Sequence, residues 1–178
     1  MSLDLHQRIL ESLVRQYDAP LIQNNLRGVY VELMVAALLG DGWRHNGSDW
    51  GAYDLEHVNG MKLEVKQSAA RQTWSAPVAE ARNPVFSIRT PKVEWVGSVP
   101  APRTARIADT YVFAWHGESS LSADHRNISQ WKFFVVSAGR LPNQKTISLN
   151  PLSTLAAPVD ADHLKNSVEQ LFGQGVAA

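Results

Sequence analysis

The sequence predicts an α/β sandwich, in which helices flank a mixed central sheet, from three features of its 178 residues. Two helical patterns open the chain, and two short strand patterns joined by a tight turn follow them. After a long proline-rich stretch, two dense runs of β-branched and aromatic residues precede a closing helix. This length favours one domain, so we expect residues 1–178 to form a single unit.

The two opening helices differ in their apolar pattern. The first is predicted over residues 2–17, where apolar side chains recur at every fourth position and form one stripe. The second is predicted to begin at Leu21 or Leu26 and to end at Leu39, before a glycine-rich break. Glu32 is the only residue among its last eleven that is not apolar, which predicts a helix buried on all sides.

A β-hairpin is predicted after the second helix. Its strands cover Ala52–His57 and Met61–Gln67, and Asn59-Gly60 between them is a strong turn signal. In the second strand, apolar and charged side chains alternate strictly, so one face is apolar and the other is charged.

The loop length decides which residues of the hairpin face each other. If Asn59-Gly60 alone formed the loop, Asp54 would lie opposite Val65. If Val58–Gly60 formed a three-residue loop with Gly60 left-handed, Asp54 would lie opposite Glu64, with side chains about 5 Å apart. A functional site at the hairpin requires the three-residue loop.

The remaining elements follow from local composition. Residues 68–108 hold five of the nine prolines and are predicted to form a long irregular excursion. Regular structure is predicted at short strands Trp43–His45 and Val85–Ile88, at strands Thr110–Trp115 and Trp131–Val136, and at a closing helix Ala161–Phe172.

Composition excludes several classes of protein. The chain has no cysteine, which excludes disulfides, thiolate catalysis and cysteine-ligated metal centres. Its 17 basic and 17 acidic residues exclude a polycation that holds nucleic acid by bulk charge alone. The longest apolar run, Leu33–Leu39, is too short to span a bilayer, and the first residues lack a signal-peptide pattern. We therefore expect a soluble cytoplasmic protein.

The charges are unevenly distributed along the chain. Residues 1–58 carry eight acidic and four basic side chains, whereas residues 67–108 carry six basic and two acidic ones. An acidic cluster followed by a basic stretch is the pattern that a metal-dependent enzyme acting on a polyanion needs.

Four charged residues form the candidate site. Glu32 lies in an apolar helix, where a carboxylate requires a cationic side chain or a metal as its partner. Asp54 and Glu64 converge in the three-residue register, where a cation between them would relieve their repulsion. Lys66 lies on the same strand face as Glu64, and could orient a water or stabilise a phosphate under attack. Carboxylate oxygens suit Mg²⁺, which lowers the pKa of a bound water.

This pattern is similar to that of a known enzyme family. Asp54, followed after nine residues by Glu64-Val65-Lys66, resembles the D…(D/E)xK signature of the PD-(D/E)xK nuclease superfamily, which has the restriction-endonuclease-like fold. The segment Arg27–Glu32 is similar to the helix that supplies a further acidic residue in those enzymes. Tyr53 stands where the signature has its proline.

The resemblance implies a Mg²⁺-dependent DNA nuclease, and specifically an endonuclease, in which Mn²⁺ could replace Mg²⁺. By this resemblance Asp54 and Glu64 would be direct metal ligands, Glu32 a further ligand, directly or through water, and Lys66 the catalytic lysine. Gln67 falls where several members place another polar residue near the site. Because cutting both strands often takes two sites, a homodimer is compatible with this activity.

The basic stretch supplies candidate DNA contacts. Arg71 and Trp74 follow closely after Lys66, and their side chains suit a phosphate contact and base stacking. The alternative for each is a loop residue that is solvated or packed into the domain.

Each functional interpretation has a structural alternative. Glu32 could form a core salt bridge with Lys66 or Arg27, and the charged hairpin residues could form an exposed strand face. The six histidines, His45 among them, show no zinc-binding spacing and are predicted to be structural or solvated. For the whole protein, the alternatives are a non-catalytic nucleic-acid-binding or assembly module on the same fold, and a domain that binds a small molecule or a protein.

Overall fold

The computed structural model of the chain describes residues 2–47, 51–75, 83–90, 93–96, 99–102 and 105–175. These residues contain four α-helices and nine strands. In chain order the elements are α1 (Ser2–Tyr17), α2 (Asn24–Leu39), β1 (Trp43–His45), β2 (Leu55–His57), β3 (Lys62–Ala69), β4 (Val85–Ser87), β5 (Val93–Val96), β6 (Val99–Pro102), β7 (Thr110–His116), β8 (Trp131–Ser137), β9 (Thr146–Ser148), α3 (Leu149–Leu155) and α4 (Ala161–Gly175). All the predicted helices and strands are confirmed, α1 and β1 with the predicted ends and the others with shifted ends, whereas β5, β6, β9 and α3 were not predicted.

Five strands form a mixed sheet in the order β1-β2-β3-β7-β8. β3 and β7 run parallel, and every other neighbouring pair in this sheet is antiparallel. A parallel pair needs a long crossover connection, and the chain between β3 and β7 supplies it. The predicted α/β architecture with a mixed sheet and flanking helices is confirmed.

The crossover is more regular than the sequence predicts. The short strand predicted at Val85–Ile88 is confirmed as β4, but β5 and β6 form an additional antiparallel hairpin. Pro100 and Pro102 lie in β6, and a two-stranded ribbon tolerates proline because its outer edge needs no N–H donor. Of the predicted excursion, residues 76–82, 91–92, 97–98 and 103–104 lie outside the described residues.

Both faces of the sheet are covered. One buried apolar cluster lies between the sheet and helices α2 and α4, and the other lies between the sheet and β4, β9 and α3. Leu63 and Val65 of β3 belong to the first cluster, and Tyr111 of β7 belongs to the second. Because side chains alternate along a strand, Glu64 and Lys66 point to the face that carries Tyr111.

Helix α2 is buried on one side only. Its buried residues recur at every fourth position: Arg27, Val31, Val35 and Leu39. Val29 and Leu33 are 40% and 49% exposed, so the prediction of burial on all sides is wrong. The helix packs against the sheet and α4, and its outer side faces solvent.

The apolar stripe of α1 is also exposed, with Leu5 at 60%. No helix in the described part of the chain has the length and apolarity to cross a membrane.

The β2–β3 hairpin has the three-residue loop that a functional site requires. The N–H of His57 donates to Met61 O at 2.9 Å, and Gly60 has φ +90°. Leu55 pairs with Leu63, which places Asp54 next in register with Glu64. The predicted loop and register are confirmed.

The first strand of the hairpin is shorter than predicted because a side chain interrupts its ladder. The N–H of Val65 donates to Asp54 Oδ2 at 2.7 Å, and a continued antiparallel ladder would direct that N–H to a backbone carbonyl. Asn46 Nδ2 donates to Tyr53 O at 3.0 Å instead. Regular pairing of β2 therefore starts at Leu55 rather than at residue 52.

Replacing Gly60 with Ala should lower the free energy of unfolding by about 1–2 kcal/mol, because a side chain is strained at positive φ. No heavy atom lies within 4 Å of the position that a Gly60 Cβ would take, so the loss reports the backbone alone. Urea unfolding measures it. Gly139→Ala is the matched control: its Cβ would also meet nothing within 4 Å, its φ is not positive, and we expect a change below about 0.5 kcal/mol. Equal losses in both variants would contradict this account of the loop.

Candidate active site

A cleft of about 320 Å³ opens at the edge of the sheet where β1 and β2 lie. Its walls come from α2, from β1 and the residues after it, and from the segment that leads into β2. The lining residues are Val29, Glu32, His45, Asn46, Gly47, Gly51, Tyr53 and Asp54. Two of the four predicted site residues, Glu32 and Asp54, therefore share this cleft.

Asp54 lies at the bend before β2 and is held at both its backbone and its side chain. Its N–H donates to Leu63 O at 3.0 Å, while Oδ2 accepts the N–H of Val65 at 2.7 Å. Asn46 N–H donates to Asp54 O at 2.8 Å and ties β1 to the same bend. These three hydrogen bonds fix the carboxylate relative to both strands.

The charged residues that the sequence selected act on the pKa of Asp54. Burial, and next the negative charge of Glu64, raise the pKa of Asp54 from 3.8 to about 7. The positive charge of Lys66 opposes this rise, and the negative charge of Glu32 adds to it. All four residues that the sequence selected thus belong to one electrostatic neighbourhood.

Lys66 forms an ion pair with Glu64. Its Nζ donates to Glu64 Oε1, and the two side chains are 29% and 18% exposed. Burial alone would lower the pKa of Lys66, but the charges of Glu64 and Asp54 outweigh burial and hold that pKa above its ordinary value. Lys66 is therefore a cation at neutral pH, with N–H donors and no acceptor.

Glu32 has a partner that the sequence did not indicate. His45 Nε2 donates to Glu32 Oε2 at 2.8 Å, and both side chains are about one-fifth exposed. The expectation that this carboxylate needs a partner is confirmed, but the salt bridge considered with Lys66 or Arg27 is wrong. The strand pairing of His45 with Leu55 is what brings the imidazole to the cleft.

Arg27 and Gln67 belong to a buried network beside the site. Arg27 is fully buried, its Nε donates to Gln67 Oε1 at 2.7 Å, and its Nη2 donates to Asn24 Oδ1 at 2.8 Å. Gln67 Nε2 also donates to Asn24 Oδ1, at 3.2 Å. Burial lowers the pKa of Arg27 to about 10. Gln67, predicted as a polar contact for nucleic acid, is used here to hold α2 against β3.

The two other predicted DNA contacts differ in exposure. Arg71 is only 7% exposed, and its Nη1 donates to Ser119 O at 3.1 Å, so its guanidinium is engaged within the fold. Trp74 is 69% exposed. Of this pair, Trp74 presents its side chain to solvent, where a polymer could reach it.

The donor set suits a hard divalent cation at two carboxylates. Asp54, at the bend before β2, and Glu64 of β3 offer oxygen ligands, and Mg²⁺ can be held by one or two carboxylates while waters complete its shell. In the described part of the chain, no group of three or more His, Asp or Glu side chains is placed to hold a metal ion. The bond from His45 accounts for the position of Glu32, so a ligand role for Glu32 is a prediction that this geometry does not require.

His45 is the residue of the cleft that sequence reasoning missed. A search for metal-ligand spacings passes over it, because its neighbours in the cleft come from other elements. The signal that could have found it is the predicted strand Trp43–His45: an antiparallel pairing of that strand with the hairpin places His45 near Asp54.

Comparisons with known proteins add one structural similarity. No protein-family profile and no curated protein matches this chain. Among solved structures, the bacterial homing endonuclease I-Ssp6803I is similar, with a TM-score of 0.43 and 18% sequence identity over 86% of this chain and 96% of that one. At this level the similarity carries no inference about the function of this chain.

Asp54→Asn should stabilise the protein at neutral and alkaline pH in the absence of metal. A carboxyl whose pKa is raised from 3.8 to about 7 on folding stabilises the folded state below pH 4 and loses this contribution as the pH rises to 7. The variant should therefore exceed wild type in free energy of unfolding by about 1–3 kcal/mol at pH 8, and by less at pH 5. Urea unfolding in EDTA at both values measures this.

Asp160→Asn is the matched control, because it should change stability in the opposite direction. The hydrogen bond from Lys132 lowers the pKa of Asp160, so its carboxylate stabilises the folded state at pH 8. An Asp54→Asn variant that is less stable than wild type at pH 8 would show that burial and the acidic neighbours do not destabilise the Asp54 carboxylate.

Proposed function

We propose that this protein is a Mg²⁺-dependent endonuclease that hydrolyses DNA phosphodiester bonds. The observation that carries the proposal is the placement of Asp54 beside Glu64 and Lys66, with the pKa of Asp54 raised by burial and by its acidic neighbours. A buried carboxylate beside like charges is destabilising unless a cation offsets their repulsion, and such groups are often found at functional sites. The sequence resemblance to PD-(D/E)xK nucleases assigns the same three residues.

Asp54 and Glu64 would hold the metal in this proposal. Mg²⁺ bound there would lower the pKa of a water and offset charge on the phosphodiester. In the hydrolysis, the water oxygen forms a bond to phosphorus, one P–O ester bond breaks, and the departing oxygen takes its electron pair and a proton. Mn²⁺, which takes similar oxygen ligands, would replace Mg²⁺.

Lys66 would supply positive charge next to the reacting phosphate. The charges of Glu64 and Asp54 keep its pKa above the ordinary value, so it stays an ammonium throughout the neutral range. A fixed cation stabilises the extra negative charge that develops on phosphate oxygens during attack.

The cleft would admit the substrate at the sheet edge. Gly47 and Gly51 line it, and residues without side chains let a sugar–phosphate backbone approach closely. The exposed ring of Trp74 is available for stacking on a base. Arg71, being buried, is not favoured as a phosphate contact.

A second candidate is a non-catalytic nucleic-acid-binding or assembly module on the same fold. The pairing of the carboxylates favours it: Glu32 is bonded to His45, and Glu64 is bonded to Lys66. Such a module would keep the fold and the cleft but would have no turnover.

Cleavage of supercoiled plasmid and of a branched-DNA panel, in Mg²⁺, Mn²⁺ or EDTA, tests the proposal. Wild type should nick DNA only with metal, and Asp54→Asn and Lys66→Ala should each lower the rate by at least about 100-fold, because each removes charge from the reacting centre. Lys132→Ala is the control, since Lys132 lies on β8 at the opposite edge of the sheet and pairs with Asp160.

Metal-dependent activity that survives both substitutions would point to a contaminant. No cleavage in any metal, together with DNA binding that the substitutions leave unchanged, would favour the binding module.

Divalent-ion binding to the folded protein is a separate test that needs no substrate. Mg²⁺ or Mn²⁺ at about 100 times its Kd should raise the free energy of unfolding by about 2–3 kcal/mol, because it binds only the folded site. The shift should be absent in Asp54→Asn and present in Lys132→Ala. An equal shift in all three proteins would place the binding elsewhere.

A further inference from the structure

His45 lines the cleft, and a hydrogen bond fixes the orientation of its ring. It lines the cleft together with Asp54, and its ring is oriented by the 2.8 Å hydrogen bond from Nε2 to Glu32 Oε2. In this arrangement Nε2 carries the proton, because a carboxylate oxygen accepts it. In the tautomer with its proton on Nε2, Nδ1 is the nitrogen that can accept a hydrogen bond.

Gly47 places no side chain next to Nδ1. Gly47 also lines the cleft, and a Cβ built on it would have His45 Nδ1 as its nearest neighbour, at 3.9 Å. Gly47 has φ +62°, a backbone conformation that favours glycine. Among the described residues, none donates a hydrogen bond to Nδ1.

Hydrolysis needs a hydrogen-bond acceptor that orients the attacking water. The other polar groups of the site already have partners within the protein. Lys66 has only donors and is paired with Glu64. One oxygen of Asp54 already accepts the N–H of Val65. His45 Nδ1 faces the same cleft, and a carboxylate holds its ring in place as in other carboxylate–imidazole pairs.

We propose that His45 is a catalytic residue that orients the attacking water through Nδ1, and that Glu32 is the positioning residue that holds its ring. This inference rests on the proposed nuclease function, which supplies the reaction. It differs from the role that the sequence resemblance implies for Glu32, since Glu32 acts through the imidazole and not as a metal ligand.

Single-turnover cleavage by His45→Gln, Glu32→Ala and the double variant tests this assignment. A glutamine amide at position 45 can still donate to Glu32 but has no acceptor at the place of Nδ1, so the fold is retained while the water contact is lost. We expect each single variant to be slower by about 10- to 100-fold, because a misplaced nucleophile costs about this much. The double variant should be no slower than His45→Gln, because Glu32 acts through His45.

A metal titration separates positioning from metal binding. The Mn²⁺ concentration that gives half the maximal rate, and the Mn²⁺-induced rise in melting temperature, should be the same in wild type, His45→Gln and Glu32→Ala. His163→Gln, an exposed histidine on α4, is the control for the loss of an imidazole and should cleave at the wild-type rate. Thermal unfolding of each variant without metal verifies the fold.

Three results would overturn the inference while the nuclease proposal stands. These are wild-type rates in His45→Gln, rate losses that multiply in the double variant, and a tenfold or larger rise in the Mn²⁺ requirement of Glu32→Ala that His45→Gln does not share. The last result would make Glu32 a metal ligand. A wild type that cleaves no DNA in any metal would overturn the nuclease proposal itself, and this inference with it.

Discussion

The register of β2 against β3, set by the left-handed Gly60, is the constraint on which the site depends. With a three-residue loop, Leu55 pairs with Leu63 and enters the apolar cluster beneath α2, and Asp54 arrives next to Glu64. A loop shorter by one residue would move every side chain of one strand to the opposite face. It would then expose Leu55 and turn Asp54 away. One backbone conformation thus controls both core packing and the position of the acidic group.

The electrostatics of the site place Asp54 in an unfavourable environment. Asp54 is buried beside Glu64, and its pKa of about 7 is the consequence. Its hydrogen bond from Val65 N–H keeps the carboxylate in place despite the repulsion, and the Lys66–Glu64 ion pair offsets part of it. Residues held in unfavourable environments by a rigid surrounding structure are concentrated at functional sites. This reasoning, rather than any similarity to a solved structure, motivates the proposed metal site.

β3 contributes to the core and to the site at the same time. Its alternate residues Leu63 and Val65 fill the cluster under α2 and α4, while Glu64 and Lys66 face the other side of the sheet. Gln67 then bonds the buried Arg27 and fastens α2 to the same strand. Because α2 also carries Glu32, this hydrogen bond links β3 to a helix that lines the cleft. A change in the packing of β3 would therefore shift the side chains of both elements at the site.

The sequence alone determined most of the regular elements and the residues of the hairpin that meet. Helical periodicity, strict alternation in β3 and the Asn59-Gly60 turn are local signals, and they sufficed for α1, α2, the hairpin, β7, β8 and α4. The choice of the three-residue loop came from a chemical requirement, that Asp54 and Glu64 converge, and the structure agrees.

Only the tertiary structure decided the partners of those residues. The pairing of Glu32 with His45, the burial of Arg71 and the use of Gln67 within the fold depend on which elements lie side by side. The half-exposed α2 and the proline-containing β5–β6 hairpin were missed for the same reason, since burial and edge position are properties of packing. Local propensity acts between residues a few positions apart, whereas these contacts join residues as far apart as Arg71 and Ser119. Their energies arise only after the sheet has assembled, because strand order and helix placement fix which side chains can touch.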